Sequence, residues 1–141
     1  MRYWLFKSEP NTWSWDQQVA KGDEGEEWDG VRNYQARNNM REMSIGDRGF
    51  FYHSVNEKRI VGIVEVCAEV HPDTTTDDER WECVDIKAIE PVETPVSLEE
   101  IKAHPKLQEM ALVRQSRLSV TPVSKDEWKI ICKLAGVKAS A

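Results

Sequence analysis

The chain has little of what most enzymes work with. It holds three histidines, and two of them, His71 and His104, stand directly before prolines in stretches that read as turns. The third, His53, has Ser54 beside it, but neighbours on a strand point to opposite faces and cannot form a local dyad. There is no glycine-rich phosphate loop, no nucleophile elbow and no His/Cys/Asp spacing that suits a metal. Glu9 is at most a lone acid after a strand. The chain is therefore expected to be no enzyme and to need neither metal nor cofactor. The three cysteines, Cys67, Cys83 and Cys132, are far apart and each lies in an apolar pattern, so they read as free thiols in a reducing cytoplasm. No long apolar run exists, and the start, residues 1–7, is too short and too quickly polar for a signal peptide. Positive charge is also scarce. A net charge of −6 argues against non-specific binding along a duplex, which needs broad positive potential.

What is present describes a globular chain: 40% hydrophobic and 31% charged residues over 141 positions, expected as a single domain, 1–141. Acid is concentrated at residues 23–27 and 77–79, whereas 112–125 carries Arg114, Arg117 and Lys125 with no acid, so a local basic patch is compatible with the overall charge. Residues 2–7 have aromatic and apolar side chains on both faces, as a central strand should. Ser14 can cap a short helix through Ala20, and strands are expected at 49–54, 59–70 and 81–89. In the second of these, Ile60, Gly62, Val64 and Val66 alternate on one face, with Gly62 marking a bulge or a close neighbour. Ser97 with Glu100 and Ser124 with Glu127 are capping boxes, and residues 114–120 read as one more extended segment. Strands with inserted helices favour an α+β fold, a strongly bent sheet or small barrel flanked by helices.

The stretch from Trp28 to Arg37 packs an indole, a flexible glycine, two amides, a phenol and guanidiniums into ten residues. Gly30 allows a ligand to approach the main chain closely, and Asn33 can cap the helix that follows. Ala36, Met40 and Met43 then form an apolar stripe, with Tyr34, Arg37, Asn38 and Arg41 on the opposite face. Trp28 can stack on a planar ligand, Asn33 can read an edge, and arginines can meet phosphate. The plainer account makes Trp28 a core residue, Asn33 only a cap and the arginines a solvated face. Residues 7–9, 50–54 and 114–119 are further polar-plus-aromatic segments bordering strands, and together the four could wall a stacking pocket.

At these residues the sequence resembles the EVE domain, a member of the PUA-like superfamily. The resemblance is carried by YWLFKSEP at 3–10, WDGVRNYQARN at 28–38, FFYHS at 50–54, VGIVEV at 61–66 and ALVRQSRLSV at 111–120, which span the chain almost end to end. It implies a PUA-like fold, with a curved, barrel-like mixed sheet and flanking helices. It also implies a pocket related to that of YTH domains, which take a modified base into an aromatic cage. EVE domains are associated with modified cytosines in DNA. Carried onto this chain, the resemblance implies that Ser8 and Asn33 read base edges, Trp28 stacks, His53 and Ser54 line the floor or rim, and Arg37, Arg114 and Arg117 meet phosphate or sugar; Gly30 is expected beside the base and Lys7 beside the phosphate. The expected function is a non-catalytic reader of a modified base, with DNA first and modified RNA second. A small-molecule or nucleotide sensor is the alternative. The expected compartment is the cytoplasm, or the nucleus in a eukaryote.

Overall fold

Alternation along the first strand decides the architecture. In β1 (Tyr3–Ser8) the side chains of Tyr3 and Leu5 enter one apolar core while Trp4 and Phe6 enter another, so the strand is buried on both faces. The computed structural model describes residues 1–137, so residues 138–141 of the expected domain lie outside it. After β1 come α1 (Trp15–Ala20), a single 3-10 turn (Gly22–Glu24), β2 (Glu26–Glu27), α2 (Tyr34–Arg41), β3 (Arg48–His53), β4 (Arg59–Pro72) and β5 (Glu82–Ser97). Then follow α3 (Leu98–Ala103), α4 (Ala111–Arg114), β6 (Val120–Val123) and α5 (Lys125–Ala135).

The six strands make one mixed sheet in the order β2-β5-β4-β3-β1-β6. β1 pairs with β3 in parallel and with β6 antiparallel, and the other neighbours are antiparallel. The architecture is the expected α+β, mixed sheet with flanking helices. Among the described residues the sheet ends at β2 and β6, however, and does not close into a barrel.

Three helices begin as their sequences dictate. Ser14, Ser97 and Ser124 each form a capping box with the residue three positions on, which satisfies backbone N–H groups that the first turn leaves unpaired. The last helix buries Trp128, Ile131, Cys132 and Ala135, and Trp128 stacks against both Tyr3 and Phe50, with ring centroids 4.4 and 4.1 Å apart. On the opposite face of the sheet α1 and α2 bring Trp15, Ala36 and Met40 down onto Phe6, Phe51 and Val64.

Two local expectations give way. Ile60 and Ile63 lie in one core and Val64 and Val66 in the other, because β4 carries one extra residue against β3, where Phe51 faces Gly62 but Tyr52 faces Ile60. That single extra residue offsets the two-residue period once, so Ile60 and Val64, four positions apart, meet opposite faces. Residues 114–120 are not one extended segment: α4 takes Ala111–Arg114, a turn follows, and the strand is confined to Val120–Val123.

Candidate nucleic-acid interface

Two loops meet over the α1/α2 face of the sheet. The first leaves β1 and carries Glu9, Thr12 and Trp13; the second leads from β2 to α2 and carries Trp28 to Arg32. Between them lies an open cavity of about 460 Å³, whose lining also takes in Lys7, Ser8 and Ser119. Each loop is held by specific bonds. The Ser8 hydroxyl donates to the carbonyl of Trp13, the Trp13 indole N–H donates to Gln18 Oε1 at 3.0 Å, and the buried Gln18 amide donates to Ile86 O at 3.0 Å. The Trp28 backbone N–H donates to Val84 O at 2.8 Å, and its ring meets Phe6 and Phe51 edge-on at 5.5 and 5.7 Å. Only 8% of Trp28 is exposed, so the indole is at once cavity wall and core. Gly30 has φ +76 and no heavy atom within 4 Å of where a Cβ would stand, which leaves its main chain approachable.

The cavity has charges of both signs. Lys7 is half-buried, burial lowers its pKa, and its Nζ donates to Ser116 O at 2.8 Å. Burial, and then the carboxylates of Asp73, Glu27 and Glu26, raise the pKa of Asp29 against the opposing pull of Arg32. Glu27 goes the other way. Burial pushes it up, but bonds from the Thr74 hydroxyl, the Thr74 N–H and the Cys83 thiol bring it below its ordinary value. Asp73, just behind the wall, accepts the Gly30 N–H at 2.9 Å and Arg32 Nη1 at 3.1 Å.

The family model for the EVE domain matches residues 2–134. The chain belongs to the EVE domain family. Thymocyte nuclear protein 1 of Mus musculus is 33% identical over 170 residues, aligning with 98% of this chain and 75% of that one. A crystal structure of an Agrobacterium tumefaciens protein is 58% identical and superposes with a TM-score of 0.95, covering 97% of this chain and 94% of that one. The human THYN1 protein, solved in complex with 5-methylcytosine-containing DNA, is 29% identical with a TM-score of 0.90 over 98% of this chain and 99% of that one.

In this EVE domain the cavity lining contains Lys7, Ser8, Trp28 and Gly30 from the residues expected at the site. The others stand elsewhere. Asn33 caps α2 by accepting the Ala36 N–H at 2.9 Å, and it lines an adjoining cleft together with Arg117. His53 is buried behind the α1 loop, its Nε2 accepting the Trp15 N–H at 3.0 Å and its Nδ1 3.0 Å from Glu57. Ser54 follows β3 and donates its backbone N–H to Ser8 O at 2.9 Å. Arg37 lies over the Tyr34 ring and donates to Arg80 O at 2.9 Å, while the exposed Arg114 stands 3.5 Å from Glu109.

Sequence reasoning missed Trp13, Asp29 and Arg32 as lining residues. Asp29 and Arg32 sat inside the stretch already singled out, and Trp13 was signalled only by an aromatic in a loop directly after a strand end. Among the described residues, Glu27, His71 and Cys83 could offer three metal ligands within 4.8 Å of one another. Their atoms are already engaged: Glu27 by Thr74, and His71 by Pro72 O at 2.8 Å and Asp85 Oδ1 at 2.7 Å. Two acceptors on one imidazole suit its charged form: burial pulls the His71 pKa down, but the bonds to Asp85 and Pro72 and the charges of Asp85 and Glu27 together raise it. Burial and the nearby Glu27 push the Cys83 thiol up, away from the thiolate a metal would need. No described helix is long and apolar enough to cross a membrane.

Proposed function

We propose that this EVE domain, spanning the whole chain, is a non-catalytic reader that takes a modified cytosine of DNA out of the base stack and into the cavity. One observation carries the reading: a cavity of about 460 Å³ that joins the Trp28 indole, the open main chain of Gly30 and several carboxylates in one lining. Its volume falls in the range of small-molecule sites. The indole offers a stacking surface, and carboxylates accept from the exocyclic amino group of cytosine, which thymine lacks. Ser8 spends its proton on Trp13 and keeps lone pairs with which to accept a second such bond. The DNA complex of the human THYN1 protein supports the DNA partner, and its methylcytosine supports the modification.

The absence of catalysis is part of the proposal. His53 and His71 have both ring nitrogens engaged by other protein groups, and burial raises the thiols of Cys67, Cys83 and Cys132. Poised acid–base groups or thiolates would need the reverse. Such thiols suit a reducing compartment, the cytoplasm or the nucleus.

The test is a binding screen at fixed salt. Oligonucleotides of one sequence carry cytosine, 5-methylcytosine or another modified cytosine, as DNA and as RNA. Tighter binding of one modified DNA than of its unmodified counterpart is expected. Equal affinity for every form would overturn the reading, and a preference confined to RNA would replace its partner.

A further inference from the structure

We propose that the cleft beside the base cavity holds the nucleotide flanking the pocketed base, with Gln35 and Gln115 reading that neighbour's edge and Arg117 meeting its phosphate. The inference rests on the reading of the cavity given above. The cleft, about 300 Å³, is lined by Asn33, Gln35, Gln115, Ser116, Arg117 and Leu118. None of these is acidic, although the chain carries a net charge of −6 and the cavity next door holds Glu9, Glu26, Glu27 and Asp29. A phosphate is therefore repelled from the cavity and accepted in the cleft.

The two spaces adjoin. Arg32 and Ser119 line the cavity, while their chain neighbours Asn33 and Leu118 line the cleft. Lys7, from the cavity lining, donates to the Ser116 carbonyl of the cleft at 2.8 Å and stands between them. A strand leaving the cavity on this side passes directly over the amides.

Those amides are pre-arranged. Gln35 Nε2 donates to Gln115 Oε1 at 2.8 Å, joining α2 to the turn after α4. The bond restrains two exposed, rotamer-rich side chains before any ligand arrives, which lowers the cost of ordering them on binding. It also leaves one carbonyl oxygen on Gln35 and N–H donors on Gln115. Exchanging oxygen and nitrogen in both amides swaps which residue supplies which, but the pair still presents an acceptor beside a donor. That arrangement complements an amino donor next to a ring-nitrogen acceptor, and adenine is the base that glutamine amides read in this way most directly. Arg117 supplies the charge for the phosphate.

The experiment varies the bases on either side of one modified cytosine through all four identities in single-stranded oligonucleotides and measures affinity at several salt concentrations. Adenine on one side is expected to bind roughly five- to a hundred-fold more tightly than thymine or guanine. Gln115→Ala and Gln35→Ala, both at exposed positions, should abolish that preference while keeping the preference for modified over unmodified cytosine. Arg117→Gln should weaken all flanks alike and reduce the slope of log affinity against log salt by about one. Four equal flanks, or a flank preference that survives both glutamine variants, would overturn the assignment of the cleft alone. Loss of the modified-base preference in the unaltered protein would overturn the cavity reading, and the cleft with it.

Discussion

The carboxylate of Asp73 accepts the backbone N–H of Gly30 at 2.9 Å, tying the loop after β4 to the wall of the candidate base cavity. One oxygen serves Gly30 and Arg32, and the other serves the N–H of Thr75 at 2.8 Å and its hydroxyl. Burial alone would raise this carboxyl, but the bonds from Thr75, Gly30 and Arg32 hold its pKa at about 2. A carboxyl depressed in the folded state adds stability above its unfolded pKa of about 3.9, and that stability is lost as pH falls through the folded value. The stability gap between the protein and its Asp73→Asn variant should therefore narrow by about 2 kcal/mol between pH 5 and pH 2. Urea denaturation across that range measures it, and a constant gap would show that the carboxylate charge is not what holds the wall.

Trp28 is expected to act twice. As a stacking surface it should contribute about 1–3 kcal/mol of binding, lost in Trp28→Ala. As a buried ring against Phe6 and Phe51 it should also contribute to stability, with truncation costing about 3–5 kcal/mol. Binding must accordingly be measured at a temperature where circular dichroism shows the variant folded. A folded variant that bound its oligonucleotide unchanged would leave Trp28 with a core role only.

Base extrusion sets an order of affinities. A site walled by Trp28 and bordered by the main chain of Gly30 needs ring faces that a paired base does not expose, and extrusion costs a few kcal/mol, least when the base is mismatched or single-stranded. Affinity should rise from a paired modified cytosine, to the same base opposite a mismatch, to the base in a single strand. Tighter binding of the fully paired site would favour a duplex groove instead.

Gly62 is where the sheet makes room for an indole. A Cβ there would stand 2.4 Å from two carbons of the Trp15 ring, so Gly62→Ala must displace the ring or the strand. Overpacking of this kind costs about 1–3 kcal/mol. If the ring is the cause, Trp15→Phe should relieve part of the effect, and the double variant should be more stable than the sum of the single losses predicts. Additive losses in thermal melts would place the cause elsewhere.

The features legible in the sequence were the local ones. Asn33 caps α2 and the serines at 97 and 124 open their capping boxes because a cap and its partner lie within one turn. Trp28 and Gly30 could be picked out because indole, glycine and guanidinium crowd one short stretch. That Trp13 faces this stretch could not be read, since it depends on β1, β3, β4 and β5 pairing across the whole chain. α4 escaped for a different reason. It has four residues and no side-chain cap, with Met110 at its start, so propensity and pattern left no mark. His53 sat in the right segment, but only the Trp15 N–H, 38 positions away in sequence, shows how its nitrogen is used.

An unclosed sheet leaves two rims at which a foreign strand could add. One rim is β2, two glutamates long, and the other is β6, interrupted by Pro122. A pair of acids repels an incoming copy of itself, and proline removes the N–H that a new ladder would use. Both rims are thus poor templates for cross-chain pairing, which lets the fold stay open for its loops without recruiting another molecule along its edges.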